Sequence, residues 1–591
     1  MKLERTFDLL ARYESQPEKE NALCIKQNGH WKKYSSSDYV EMSHLFCYGL
    51  LALGLGKGDK IMSVTNNRPE WNFVDMGMAM AGIIHVPVFT SLRPDEYQKI
   101  ISHSETRIIL VGDTRIVSHV KSALEKIESP LELFSFDTIP GIRNWKEIID
   151  IGRKNLEQYK GKAVLIKDAI SPDDPVTLIY TSGTTGNPKG VMLTHRNLVS
   201  NFLSAAKIFK LKPEDKYLSI LPLCHVGGRL GNYQTQYSMA GIYYSENMGT
   251  IAANMAEIKP EGFDAVPRII EKFYSVIIAK GNKLTGIKKK IFFQAVQLGL
   301  KYKPFGENGW FYEQKLKLAD RLVFSKWRQA LGGNVKIAGC GGASLPQYLE
   351  RIFWAAGIKI INMYGLTETS PIITINGTEK GEVKLGSVGT TIEGVEIKIE
   401  DDGEILCKGP NVTPGYFKDP ELTRLAFTED GWFCTGDIGH LEEGKFLMVT
   451  DRKKEIFKLS NGKFVAPQLI ENIFRESPYI DQIMVIGEHQ KFPSALISPD
   501  FRVLEEWKKT EKITVSGNEE LIRLPAVQAI FSSEVEKLNK KLNPVERIHR
   551  IRLVPNEWTP ASGELSPTLK LKRLFIQEKY KELIDQIFMK N

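Results

Sequence analysis

Thr181-Ser182-Gly183-Thr184-Thr185-Gly186-Asn187-Pro188-Lys189-Gly190 is the strongest local signal in this chain of 591 residues. It follows directly on the apolar run Leu178-Ile179-Tyr180, and residues 176–180 together predict a compact buried strand. Three glycines let backbone N–H groups turn toward an anion, while four hydroxyls and a lysine add further donors. A polar loop between strands has a similar composition, and a shorter fragment would favour that reading. Ten such residues ending on a lysine and glycine, straight after an apolar strand, favour a nucleotide-phosphate loop. It is not a Walker A loop, because five residues on from Gly183 stands Pro188, and Lys189 is followed by Gly190 rather than Ser or Thr.

Outward from that loop the chain alternates helix-like and strand-like stretches. Residues 37–53 predict an amphipathic helix opened by serines, 60–65 and 83–89 predict strands, and 95–102 predicts a helix. Such alternation predicts mostly parallel sheets covered by helices. Residues 386–409 change to short β-rich runs with the turn Asp401-Asp402-Gly403, which predicts a small antiparallel unit. Beyond Asp451 a charged run gives way to a new α+β pattern, with a helix near 468–475 and a strand at 482–486. A domain boundary is expected at 451–455.

Hydrophobic residues make up 42% and charged residues 25%, as in ordinary globular proteins, which excludes a disordered or fibrous chain. No apolar run reaches the ~18–20 residues that span a bilayer. The first twenty residues carry charges throughout and lack the apolar core of a secretory signal. A cytoplasmic protein is expected. Six cysteines lie far apart with no C-x-x-C pair, which points to free thiols rather than zinc or disulfides. The net charge of +8 suits anionic substrates and leaves room for peripheral contact with the inner membrane surface and for a homodimer. It does not imply nucleic-acid binding.

Residues 180–197 (YTSGTTGNPKGVMLTHRN) resemble the signature of the AMP-forming acyl- and aryl-CoA synthetases, luciferases and adenylation domains. The family's other motifs follow in its order: Leu221-Pro-Leu-Cys-His225, Gly341-Gly342-Ala343 and Tyr364-Gly-Leu-Thr-Glu-Thr369. Then come Thr435-Gly436-Asp437, Asp451-Arg452-Lys453-Lys454 and Pro567-Thr-Leu-Lys570. The likeness covers essentially the whole chain. It implies an α/β fold: a large N-terminal domain (1–453) of two β-α layered subdomains plus a small β-barrel-like subdomain, followed by a small mobile α+β C-terminal domain (454–591).

The resemblance also implies roles. ATP is held by Thr181, Ser182, Gly183, Thr184, Thr185, Gly186 and Lys189 at its phosphates, with Thr367. Gly341, Gly342, Ala343, Tyr364 and Gly365 form the adenine side, Asp437 takes the ribose hydroxyls, and Arg452 contacts the nucleotide. Glu368 holds Mg2+ together with Thr184. Lys570 stabilises charge as pyrophosphate leaves, with Lys572 and Arg573 as basic neighbours that contend for that position. His225 stands between the acyl site and thioester formation. Lys454 is the hinge about which the small domain turns, presenting the loop 458–462, with Lys458 and Gly462, to coenzyme A. Read alone, each residue has a plainer explanation: a surface carboxylate, a turn aspartate, a solvated Asp-Arg-Lys-Lys run, a satisfied histidine. The motif context shifts the balance.

An insertion over residues 274–331, with Val266-Pro267-Arg268 and Glu271-Lys272, resembles long-chain fatty acid–CoA ligases. Residues 272–306 hold eight lysines and no acid, and Ile287, Ile291, Ala295 and Leu298 fall on one helical face. A basic amphipathic helix could meet anionic lipid, although packing on its own domain is the better-supported reading. Two features depart from the family. His225 is followed by Val226-Gly227-Gly228-Arg229, and Asn232, Gln234, Thr235 and Gln236 occupy a stretch that relatives make apolar. With Gly227, Gly228 and Arg229 expected in the acyl pocket, polar atoms there would need partners, since each one left unpaired costs about 1–3 kcal/mol. A shorter or functionalised acid therefore competes with a long-chain one. A carrier-protein thiol competes with coenzyme A as acceptor. A non-enzymatic binding protein is disfavoured, because Lys189, Glu368, Asp437 and Lys570 are all present.

Overall fold

A computed structural model describes residues 2–127, 131–182, 188–566 and 568–589. Two large sheets dominate. One, of eight strands among the described residues, has Lys60–Val64, Ile84–Val88 and Ile108–Val111 parallel at its centre and the antiparallel pair Pro175–Ser182 and Pro188–Thr194 toward one edge. The other, of nine, runs Lys216–Ser219, Gly262–Ala265, Ile337–Cys340 and Lys359–Gly365 side by side and parallel. Their burial on both faces explains why these strands read as apolar runs rather than alternating ones.

Helices fill the space between and around the sheets. Ser36–Ala52 starts at Ser35, whose hydroxyl accepts from the Asp38 N–H while the Asp38 carboxylate accepts from the Ser35 N–H. It crosses Pro69–Met80, a helix buried along its whole length, and the close approach requires Gly77, where a Cβ would stand 2.9 Å from the Ser43 carbonyl. The residues expected to form a small barrel-like unit make a four-stranded antiparallel sheet of Glu396–Ile399, Glu404–Lys408, Phe433–Glu442 and Phe446–Arg452. Past it, Ile480–Ile486, Ser494–Pro499 and Arg550–Leu553 form a three-stranded sheet with its own apolar cluster around Ile470, Phe474, Leu504 and Phe531.

The lysine-rich insertion is helical, with Pro267–Asn282, Gly286–Gly299 and Trp310–Ala319. The second of these helices packs on its own domain. Its buried residues are Phe292, Ala295, Val296 and Gly299, one position round from the expected face, because the Phe292 ring fills the space beside Gly281. Ile291 and Leu298 pack at the margin of the core, and Ile287 is 77% exposed. Among the described residues no helix is long and apolar enough to cross a membrane. The six cysteines are all free thiols.

Candidate active site

Four of the parallel strands of the nine-stranded sheet end at one edge, and the chain places a motif after each. Lys216–Ser219 leads to His225, Gly262–Ala265 to Val266, Ile337–Cys340 to Gly341 and Lys359–Gly365 to Glu368. The carboxyl edge of a parallel sheet is where α/β folds collect ligands.

Asp437 is brought there by the antiparallel pair Phe433–Glu442 and Phe446–Arg452, in which it stands directly opposite Arg452. Its buried carboxylate accepts from the Tyr364 hydroxyl at 2.9 Å and pairs with Arg452 Nε at 3.1 Å. Burial raises the Asp437 carboxyl above its usual range, with Arg452 and Tyr364 pulling it back. The pair of oxygens of this mid-strand carboxylate suits vicinal hydroxyls.

A second cluster gathers anion-binding groups. Glu368 sits in the short turn Thr367–Thr369, and its Oε1 accepts from the Tyr416 hydroxyl at 2.9 Å. The Lys189 ammonium lies 5.7 Å from the centre of the same Tyr416 ring. Lys189 itself pairs with Thr181 across the hairpin that carries the phosphate loop. Tyr416 therefore joins that hairpin to the Glu368 turn. Its short strand Gly415–Tyr416 adds to Pro188–Thr194, and Thr413 donates its N–H to the Glu368 carbonyl at 2.8 Å. Gly365 is required there, since a Cβ would stand 1.7 Å from the Pro371 carbonyl.

Lys570 closes the site. The residue as a whole keeps exposed surface, but loss of hydration around its ammonium, with Arg452 beside it, lowers that group to about 8. Asp437, Glu368 and Glu455 pull the other way. The same lysine is felt at His225, whose imidazole is pushed down to about 4, chiefly by burial. His225 caps the helix Val226–Tyr237, and its Nδ1 accepts from the Gly227 N–H at 3.0 Å. Arg573, a contender for the role of Lys570, is otherwise engaged. It makes a two-pronged pair with Glu471 at 2.9 and 2.7 Å and a third contact with Glu455 at 2.8 Å. Lys572 lies near the Phe575 ring.

The remaining expected residues differ in burial and in how far the structure describes them. Gly183, Thr184, Thr185 and Gly186 lie outside the described residues, and for Ser182 the strand alone is described. Gly341 is half-buried against Met363, and Gly342 and Ala343 are exposed. Lys454 is exposed just past the strand Phe446–Arg452, and Lys458 and Gly462 are exposed on the hairpin of Phe457–Lys458 and Phe464–Val465, with the Lys458 ammonium over the Phe464 ring.

Two of the three expected acyl-pocket residues, Gly228 and Arg229, are buried. Gly228 is buried because its helix passes so close to the preceding loop that a Cβ would lie 2.2 Å from the Pro222 carbonyl. Arg229 is fully buried and pairs with Asp75, while its Nε donates to the Tyr233 hydroxyl at 2.9 Å. A buried guanidinium goes where a carboxylate can neutralise it, and Asp75 is also bonded to His85 at 2.6 Å. Gly227 remains half-buried beside His225. Asn232 and Gln236 find partners in Asn72, Tyr244 and Tyr39.

Tyr416, Thr413 and the Arg573–Glu455–Glu471 cluster escape a reading of motifs. Tyr416 stands in Pro414-Gly-Tyr-Phe417, whose turn residues give no sign that its hydroxyl reaches Glu368.

A family model described as AMP-binding enzyme matches residues 11–417, and one described as AMP-binding enzyme C-terminal domain matches 454–591. This chain belongs to the AMP-forming acyl-CoA synthetases. Among curated members, the long-chain-fatty-acid–CoA ligase FadD15 of Mycobacterium bovis is 32% identical, covering 95% of this chain and 93% of its own. The peroxisomal long chain acyl-CoA synthetase 6 of Arabidopsis thaliana is 31% identical over 91% of this chain and 79% of its own. In fold, the A domain of a carboxylic acid reductase from Segniliparus rugosus, solved with AMP and a co-purified carboxylic acid, superposes with a TM-score of 0.74 at 20% identity, covering 99% of this chain and 94% of that one. The anthranilate CoA ligase AuaEII, solved with anthranoyl-AMP, superposes at 0.73 with 18% identity, covering 98% of each chain. This AMP-forming synthetase thus has the superfamily's two-part architecture over essentially its full length.

Proposed function

We propose that this synthetase activates a long-chain fatty acid in two steps, as an acyl-adenylate and then as the thioester of coenzyme A. The observation that carries the proposal is the convergence of Asp437, Tyr364 and Arg452 with Glu368, Tyr416 and Lys189, and of Lys570 with both, at one sheet edge.

In the first step a carboxylate oxygen attacks the α-phosphorus of ATP, and the bond to the β-phosphate oxygen breaks, releasing pyrophosphate. Two anions must approach, so cationic groups fixed in place beforehand lower the barrier. Lys570 and Arg452 supply fixed positive charge around the reacting phosphate, and Lys189, with the adjoining loop that includes Thr184, meets the outer phosphates. Asp437 holds the ribose hydroxyls. The residues fit Mg2+, a hard cation that takes few protein oxygens and keeps phosphate and water ligands. Glu368 would hold it, oriented by Tyr416, and the ion would neutralise phosphate charge. His225 accepts at Nδ1 from Gly227, so in its neutral form Nε2 carries the proton and can donate to an acyl or phosphate oxygen.

In the second step the thiolate of coenzyme A attacks the acyl carbonyl and AMP leaves. In the proposed division of the chain, residues 454–591 turn about Lys454, withdrawing Lys570 and bringing in the loop of Lys458 and Gly462. Withdrawal protects the anhydride from water until the thiol is present. Coenzyme A rather than a carrier protein is the proposed acceptor. The exposed Ile287, Trp310, Phe311 and Leu318, with Lys288, Lys289 and Lys290, support contact of the helical insertion with an anionic lipid surface, where such acids reside.

Exchange of labelled pyrophosphate into ATP tests the first step. Exchange that depends on palmitic acid and magnesium is expected. Exchange unaffected by any fatty acid would overturn the proposal.

A further inference from the structure

The loop that ends on His225 lies between a strand and a helix, where neither a ladder nor a helical turn supplies its bonds. It leaves the strand Lys216–Ser219, runs through Ile220-Leu221-Pro222-Leu223-Cys224 and enters the helix Val226–Tyr237 at His225. Pro222 has no N–H to give, and the other backbone groups of the loop need partners wherever they are buried. The His225 N–H donates to the Pro222 carbonyl at 3.0 Å.

Further partners come from the other large sheet. Its strand Lys60–Val64 is followed by Thr65, Asn66 and Asn67, and the Asn67 amide spans Pro222. Nδ2 donates to the Leu221 carbonyl at 2.7 Å, and Oδ1 accepts from the Leu223 N–H at 2.9 Å. Nδ2 also donates to the Ser219 hydroxyl at 3.3 Å. One side chain thus binds the loop as a neighbouring peptide group would, from 154 residues away in sequence. The adjacent strand, Ile84–Val88, leads to Phe89, whose ring centre lies 6.4 Å from that of His225. Phe89 is held in turn by the Tyr97 hydroxyl, which donates to its carbonyl at 2.7 Å.

The start of the helix leaves the loop little slack. A Cβ on Gly228 would stand 2.2 Å from the Pro222 carbonyl oxygen and 2.7 Å from that of Leu221. The same two residues that Asn67 brackets are therefore packed against the helix that His225 caps. A group that serves a reaction must be held close to its productive place, and small displacements are costly.

We propose that Asn67 is a positioning residue for His225, fixing the loop that carries the imidazole into the site. The proposal rests on the ligase reading above and adds to it a residue outside the motifs that carry the chemistry.

Asn67→Ala removes the loop bonds, and Asn67→Asp keeps the acceptor for Leu223 but sets an oxygen against the Leu221 carbonyl. Each should lower kcat by about tenfold to a hundredfold, the scale of a misplaced reacting group. The loss should fall in the half-reaction that His225→Ala slows, with KM for ATP near the wild-type value. The double variant of Asn67→Ala with His225→Ala should be no slower than His225→Ala alone, because a residue acting through another then has nothing left to act on. Losses that multiply in the double variant, or a loss in a half-reaction that His225→Ala leaves unchanged, would overturn the proposal. The nearly isosteric Asn67→Asp carries the same comparison where the alanine variant folds poorly. Histidine titration by NMR, with the signal assigned from His225→Ala, needs no turnover. Burial in this loop, with the Lys570 charge adding to it, holds the His225 imidazole at about 4. In Asn67→Ala a loosened loop should admit water and raise it toward the ordinary ~6.5, and an unchanged value would contradict the positioning. Absence of turnover with every acid counts against the ligase, while the titration still decides the part of Asn67.

Discussion

Lys570 is the residue on which the chemistry turns, and its surroundings set two expectations. Lys570→Ala should slow adenylate formation about a hundredfold to a thousandfold, the usual loss for a group aimed at developing charge. Transfer from preformed acyl-AMP should change far less, and single-turnover assays of each half-reaction would check the difference. Equal losses would remove Lys570 from the first step. The second expectation concerns pH. A lysine lowered to about 8 loses its proton as pH rises through that value, and only the ammonium can stabilise the leaving phosphate. In the free enzyme, kcat/KM for ATP should therefore fall above pH about 8, and that limb should vanish in Lys570→Arg. Much of this was legible in the sequence, because phosphate chemistry needs fixed donors and the motifs carrying Lys189, Glu368, Asp437 and Lys570 announce them. Tyr416 was not, since its function lies in a hydroxyl contact across more than forty residues of chain.

At the scale of elements, the helix Val226–Tyr237 shows where sequence reading reaches its limit. The Gly227-Gly228-Arg229 departure suggested a changed acyl pocket, and the structure shows Gly228 and Arg229 buried by contacts that the sequence does not announce. Burial of the Arg229 guanidinium against Asp75 is a pairing between distant segments, invisible to local pattern. Gly228→Ala should destabilise the protein by about 1–3 kcal/mol, since the added carbon meets backbone that cannot move aside as a side chain would. Urea unfolding would measure it, and an unchanged midpoint would contradict the close approach. The lysine-rich helix gives the same lesson in milder form. Its period was legible, but its rotation was set by Phe292 seating against Gly281.

Across the whole molecule, the strands and helices that read most clearly, such as Lys60–Val64 and Ser36–Ala52, are those whose burial or capping is local. The meeting of the two parts of the chain is not. Arg268 pairs with Asp481 and donates to its carbonyl at 3.2 Å, tying the start of the helical insertion to the strand Ile480–Ile486. In the arrangement that brings Lys570 to Asp437, this contact is made. The proposed rotation of the C-terminal part would break it. Arg268→Ala should accordingly lower the adenylation rate several-fold while leaving thioester formation from acyl-AMP near the wild-type rate. Rapid-quench measurements of both steps would show it, and a slowed second step would place Arg268 in the other arrangement.

The central claim is that one site makes the adenylate and then the thioester. The most direct measurement is mass-spectrometric analysis of products after incubating the protein with ATP, Mg2+, coenzyme A and fatty acids of graded length. AMP and acyl-CoA appearing together in equal amounts is the predicted result. Acyl-AMP accumulating without any coenzyme A ester, for every acid supplied, would contradict it and point to a carrier-protein thiol as the acceptor.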